Sequence, residues 1–242
     1  MHVPNYFLQS YGIKVSYKKA TVTKKAQLYR FNNNYDIFAL IINHQMKRFL
    51  PFFILLFAVS GYSQCWQAIK TGGNHTVAIH IDGTLWAWGN NSDGEVGDGS
   101  ANERISPVQI GAGKWIAISA GHSHSLAIKA DGTLWSWGNN YQGCLGLNTI
   151  EPYILKPTQV GTATDWTYIA AGHSLSFGIK RDGSLWGWGI NLNGDVGNGT
   201  ITPITAPVRV GMATDWKYVD SDDFTAGIKT DGTLWTWGSY NN

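Results

Sequence analysis

The residues with chemical potential in this chain come in register. Asp82, Asp131, Asp182 and Asp231 are carboxylates spaced 49, 51 and 49 residues apart, and each is followed by glycine. Carboxylates brought together at short range supply general acid and base catalysis. These four lie a full repeat apart, and Asp-Gly is the composition of a two-residue hairpin turn, because both residues tolerate the positive φ that such turns need. They are read as turn residues. His75 and His124 occupy matching positions just before a strand, where the later units carry Leu175 and Phe224. Repeated imidazoles bind metal only where they converge. Equivalent positions in successive units are expected to lie a unit apart, so a structural hydrogen-bonding role is expected, for His122 and His173 as well. Ser123 sits between His122 and His124, but without the G-x-S-x-G elbow of a serine hydrolase. The run Asn91-Ser92-Asp93-Gly94-Glu95 lacks the acid spacing and closing Glu of an EF-hand calcium loop. No glycine run precedes Lys-Ser/Thr as in a phosphate loop. Cys65 and Cys144 make one candidate disulfide, and sequence alone leaves its distance requirement open. The expectation is a protein with no catalytic residue, no metal and no cofactor, hence not an enzyme.

The elements that carry these residues share the period. The phrases DGTLWAWG, DGTLWSWG, DGSLWGWG and DGTLWTWG place Trp86 and Trp88, Trp135 and Trp137, Trp186 and Trp188, and Trp235 and Trp237 two residues apart. A third Trp recurs as Trp66, Trp115, Trp166 and Trp216, so three per unit over four units account for all twelve. Glycine phrases follow the first three units (GEVGDG, GCLGLN, GDVGNG), each leading to a Pro-containing run ending in Gly. A fixed period near 50 indicates stacked supersecondary units. In the second unit, Trp115–Ile118, Ser125–Lys129, Thr133–Trp137 and Thr158–Val160 read as four short strands, with Asp131-Gly132 as the hairpin between the second and third. Residues two apart share a strand face, so each Trp pair is expected to fill the space between neighbouring sheets. Four short strands per repeat describe an all-β propeller of four-stranded blades, with units 66–114, 115–165, 166–215 and 216–242. Composition agrees. With 29 Gly and 12 Trp among 242 residues, helical bundles are opposed, and the aromatic content opposes disorder.

The front of the chain is unlike the repeats. Residues 1–48 hold eight Lys/Arg and one acid, whereas residues 65–242 hold ten Lys/Arg and fifteen Asp/Glu, ten minus fifteen giving −5. An acidic domain repels phosphate backbones, which argues against nucleic acid as a partner. Met46-Lys47-Arg48, the apolar run Phe49–Ser60 and the small residues of Gly61-Tyr62-Ser63 follow the plan of a secretory signal peptide. The run is too short for a membrane span, which needs about 20 apolar residues. The expected organisation is a non-native or disordered extension over 1–45, a signal peptide over 46–63 and a partial propeller over 64–242. The mature chain is then secreted or held in the cell envelope, with no span.

From Gly121 to Gly146 the chain runs G-x-x-H-S-x-A-I-K-x-D-G-T-L-W-x-W-G-x-N-x-x-G-x-L-G, give or take single positions in the other units. This resembles the regulator of chromosome condensation repeat family, over Trp66 to Asn242. The resemblance implies a seven-bladed β-propeller and a secreted member of bacterial type. About three and a half repeats are present, half of such a ring, so the sequence reads as truncated at its C-terminal end. An open half ring is expected to expose Leu234, Trp235 and Trp237 on its last flank, and so to self-associate. Loops after W-x-W-G differ between units at Ser92, Tyr141, Leu192 and Asn241, which makes these the candidate partner-binding positions. The function expected is a secreted, non-catalytic protein-binding module for an unknown protein partner. The resemblance also implies two alternatives: a guanine-nucleotide exchange factor for a small GTPase, as in the family's namesake, and a secreted enzyme inhibitor.

Overall fold

The computed structural model describes residues 65–149, 151–222 and 224–238. The repeat period becomes sheet after sheet of antiparallel meander. Strands β1 (Trp66–Thr71), β2 (His75–His80), β3 (Leu85–Gly89) and β4 (Arg104–Gln109) form the first blade in that order. β5 (Trp115–Ala120), β6 (His124–Lys129), β7 (Leu134–Asn139) and β8 (Tyr153–Gln159) form the second. β9 (Trp166–Ala171), β10 (Leu175–Lys180), β11 (Leu185–Gly189) and β12 (Ile204–Arg209) form the third, and β13 (Trp216–Ser221), β14 (Thr225–Lys229) and β15 (Leu234–Trp237) give three strands of a fourth. The array is not closed. First strands of successive blades touch one another, which makes them the innermost strands.

The fourth strand differs from the sequence reading. In the second blade it begins at Tyr153, five residues before the expected Thr158, and it runs through Pro157. Pro107, Pro157 and Pro207 all lie in outermost strands. Proline lacks the N–H that an inner ladder requires, but an edge strand can leave that side unpaired, and proline there also discourages pairing with another chain.

The Asp-Gly-Thr/Ser-Leu-Trp phrase is a small hydrogen-bonded relay. Asp131 Oδ1 accepts from the Thr133 amide at 3.0 Å and the Thr133 hydroxyl at 2.6 Å, and Thr133 Oγ1 accepts from Trp135 Nε1 at 2.8 Å. The same three bonds recur from Asp82, Asp182 and Asp231 through Thr84, Ser184 and Thr233 to Trp86, Trp186 and Trp235. Bonds to the Thr/Ser residue hold all four carboxyls below the usual carboxylate range.

The hydrophobic core lies at the seams between blades. Ile79 and Leu85 pack with Trp115, Ile118 and Trp137 of the second blade. Ile128 and Leu134 pack with Trp166, Ile169 and Trp188 of the third. Phe177, Ile179 and Leu185 pack with Trp216 and Val219 of the fourth, with Trp237 against them. In the second, third and fourth blades the second Trp of the pair (Trp137, Trp188, Trp237) therefore faces the preceding blade. This corrects the expected open flank. Leu234 does lie on it, 67% exposed where Leu85, Leu134 and Leu185 are at most 1% exposed, and Ile228 joins it. Trp235 is exposed as expected, at 51%, while Trp237 instead leans back on Phe177 of the third blade, ring centroids 6.1 Å apart.

The glycine phrases make that packing feasible. A Cβ on Gly146 would come within 2.8 Å of Trp188 Nε1, and Gly97 and Gly197 stand in the same relation to Trp137 and Trp237. Gly146 also has φ of 70°. Gly146→Ala is expected to destabilise the array by about 1–3 kcal/mol through overpacking and backbone strain, read as a lower urea midpoint than wild type.

Candidate functional site

Strand direction sorts the repeated features onto two faces. Asp-Gly hairpins and the links into the next blade share one face. The corners between first and second strands, and the long loops after third strands, share the other. On this second face each loop is fixed from inside by one buried asparagine. Asn140 Nδ2 donates to Thr149 O at 3.2 Å and Glu151 O at 2.9 Å, and its Oδ1 accepts from the Leu145 amide. Asn91 and Asn191 do the same in their units, bonding Ser100 O and Asn102 O, and Thr200 O and Thr202 O. The loops also lap the next blade, with the Asn148 amide donating to Thr205 O and the Gly99 amide to Leu155 O. The asparagine was visible in the sequence as the last N of W-x-W-G-x-N, but its offset does not announce that it is buried.

On these loops Ser92 is exposed, Tyr141 is 60% exposed and Leu192 is 53% exposed. Asn241 lies outside the described residues. Tyr141 also lines a cleft of about 170 Å³ with His122, Ser123, His124, Asn139, Cys144, His173 and Ser174. His122 and His173 stack there, ring centroids 4.5 Å apart and planes within 13°. This overturns the argument that equivalent histidines cannot meet. Corners close to the inner strands converge, and the His122 amide donates to Gly172 O across the seam. Parallel rings present faces to one another rather than lone pairs to a shared point. Among the described residues no group of three metal-ligating side chains is assembled.

His75 and His124 are built into the seams. His124 Nε2 lies 2.9 Å from Ser176 Oγ, Ser176 Oγ donates to Cys144 O at 2.7 Å, and Trp188 Nε1 donates to the same carbonyl at 2.9 Å. One blade earlier, His75, Ser125 and Trp137 make the same clasp on Glu95 O. Because each serine proton goes to the carbonyl, the serine oxygen must accept from the histidine, which places the imidazole proton on Nε2. Burial, with lesser contributions from neighbouring histidines, pushes His75 down to about 4 and His124 down to about 3. Both are neutral at physiological pH and cannot exchange protons with a substrate there.

The other chemical candidates are likewise occupied. Glu95 is buried, accepting from Asn90 Nδ2 at 2.6 Å and the Asp93 amide at 2.9 Å, so it braces its loop. Cys144 donates to Asn139 O, burial pushes its thiol up to about 12, and no disulfide joins it to Cys65. Ser123 Oγ lies 3.2 Å from His122 Nδ1. The signal-peptide segment 46–63 and the extension 1–45 lie outside the described residues. No helix among the described residues is long and apolar enough to cross a membrane.

Known proteins share this arrangement. The sequence model of the regulator of chromosome condensation (RCC1) repeat matches residues 82–128 and 131–179, and a second model of the same repeat matches 66–95 and 115–144. The ultraviolet-B receptor UVR8 of Arabidopsis thaliana is 26% identical over 137 residues, which cover 55% of this chain and 31% of the receptor. Yeast RCC1 (Prp20), in its crystal structure with Kap60, superposes with a TM-score of 0.66 at 21% identity, over 74% of this chain and 45% of that one. Human WBSCR16 gives 0.65 at 20% identity, over 74% and 48%. Prp20p of Saccharomyces cerevisiae, studied with its binding to Gsp1p and histones, gives 0.61 at 24% identity, over 68% and 44%. At these identities the solved structures establish a shared fold. The chain spans about a third of the curated relative and less than half of each solved one. Repeat matches across the seams and a common blade fold agree with the Trp, Gly and Asn geometry, and residues 66–179 of this chain carry repeats of the RCC1 type.

Proposed function

We propose that this chain is a non-catalytic protein-interaction module that meets its partner with the face of the His122–His173 cleft and the Asn-fixed loops. The observation that supports this most is the pairing of exposed apolar side chains with rigid support. Tyr141 and Leu192 project from loops whose interiors are tied by Asn140 and Asn191. Anchors already held in place cost less ordering entropy on binding, and exposed Tyr is a common binding anchor. The export plan of Met46–Ser63 supports a secreted or envelope location. An enzyme inhibited by being covered is one fitting partner. The flank of Leu234 and Ile228 supports self-association as well.

Cell fractionation followed by affinity measurement tests this reading. The expected product lacks residues before about Gln64, lies outside the cytoplasm, and loses about tenfold or more in affinity for its captured partner on Tyr141→Ala combined with Leu192→Ala. An uncleaved cytosolic product that speeds nucleotide release from a small GTPase would replace it with the exchange-factor reading.

A further inference from the structure

We propose that the groove between the third and fourth blades, on the face of the Asp-Gly hairpins, binds an acidic peptide segment of a partner protein. This site lies at the opposite ends of the strands from the loop face, and it is carried by different residues. The groove encloses about 410 Å³, and Tyr168, Lys180, Arg181, Trp216 and Lys217 are among its lining.

The repeat supplies its own control. Matching positions between the first and second blades are Ala68, Ile81 and Ile116, and between the second and third they are Ala117, Ala130 and Thr167. Only between the third and fourth blades do these three positions become Tyr168, Arg181 and Lys217. The fold does not need those side chains, because the other two seams form without them. Lys180 is already committed, with its ammonium 3.3 Å from Asp165 and lying over the Trp166 and Trp186 rings. Among the described residues, Arg181 and Lys217 make no ion pair. Asp182 also lines the groove and is the one acid there, an anion whose Oδ1 is turned to the amide and hydroxyl of Ser184, against three lining cations.

Two cations without an ion pair among the described residues, both lining one groove and one of them, Lys217, lying over the Tyr218 ring, are the exception in a domain with five more acids than bases. The Arg181 guanidinium offers paired donors to a carboxylate, and Lys217 adds a second charge. Tyr168 adds an aromatic wall, its ring braced edge to face by Tyr218 with centroids 5.7 Å apart. A peptide fits better than a nucleic acid, because the net negative domain repels a long phosphate backbone more than a short run of carboxylates.

Fluorescence anisotropy on the full chain, with a labelled Glu-Gly repeat peptide and its Gln-Gly counterpart, tests this. The Glu peptide is expected to bind and the Gln peptide not to. Added salt should weaken binding, and Arg181→Ala combined with Lys217→Ala should weaken it about tenfold or more with an unchanged near-ultraviolet circular dichroism spectrum. Ala130→Ser, at the matching position of the neighbouring groove, should leave it unaltered. Equal binding by wild type and the double variant, no binding of the Glu peptide, or tighter binding of single-stranded DNA of equal charge would each overturn the proposal.

Discussion

Trp188→Ala is expected to remove about 3–5 kcal/mol of stability, a large part of the total of a single domain. The side chain is fully buried and packs against Ile128 and Leu134 of the preceding blade. Its loss opens a cavity at a seam and also removes one of the two donors to Cys144 O. Trp235→Ala provides the contrast. Trp235 is half exposed, hydrogen-bonded to Thr233 in its own turn and edged by Trp216 and Lys229 at the surface, so a loss of about 1 kcal/mol, well below that of Trp188, is expected. Trp188→Phe keeps most of the volume and should cost an intermediate amount, about 1 kcal/mol of it from the missing hydrogen bond. Urea unfolding followed by circular dichroism gives all three values, and equal losses for Trp188→Ala and Trp235→Ala would contradict the seam packing. Stability in such arrays is a sum of units and the interfaces between them, so the Trp188 loss should appear as uncoupling of the second and third blades as well as a lower midpoint.

Acid sensitivity well above carboxylate pKa values is the second large effect. His75 and His124 have folded-state values near 4 and 3, below their ordinary value of 6.5. The folded state therefore prefers them neutral, and the unfolded chain takes up protons first as pH falls. Their contribution is intact above about pH 6.5 and is progressively lost toward pH 4, reaching about 4 kcal/mol for the pair at pH 5 by linkage. The physical cause is burial. A second proton on His75 would sit on Nδ1, which has no hydrogen-bond partner among the described residues. Neighbouring imidazoles oppose protonation further, His122 for His75, and His75, His173 and His122 for His124. Asp82, Asp131, Asp182 and Asp231 are held low by their turn bonds and lose their contribution only at more acidic pH. The third unit already carries Leu175 at this position, so His75→Leu combined with His124→Leu should fold and show a nearly flat stability between pH 5 and 7. A double variant with the wild-type slope would refute the assignment.

The blade pattern was legible because it rests on local chemistry repeated four times. Asp131-Gly132 needs a turn, Trp135 and Trp137 need one face, and the period then fixes the meander. What the sequence hid depends on partners far along the chain. Ser125, Ser176 and Thr225 look like ordinary strand residues, yet each donates to a carbonyl of the preceding blade. The His122–His173 stack was missed because spacing along the chain says nothing of how closely inner corners approach. The fourth strand extends upstream of the expected Thr158 to Tyr153, because an outer edge accommodates Pro157. At the candidate site, Tyr141 and Leu192 stood out as variation within a repeat, but nothing in the sequence told a tethered loop from a loose one.

Seam donors go to the carbonyls of Glu95, Cys144 and Asp195, a hydroxyl and an indole at the first two and the Thr225 hydroxyl at the third, although the side chains beside them are two acids of different length and a thiol. Recognition between neighbouring sheets thus addresses the main chain at that point and is indifferent to the letter written there. Such a position can drift, or be redesigned, while the joint stays intact: Glu95 braces a loop and Cys144 buries a thiol without either altering the grip on the atom beside it.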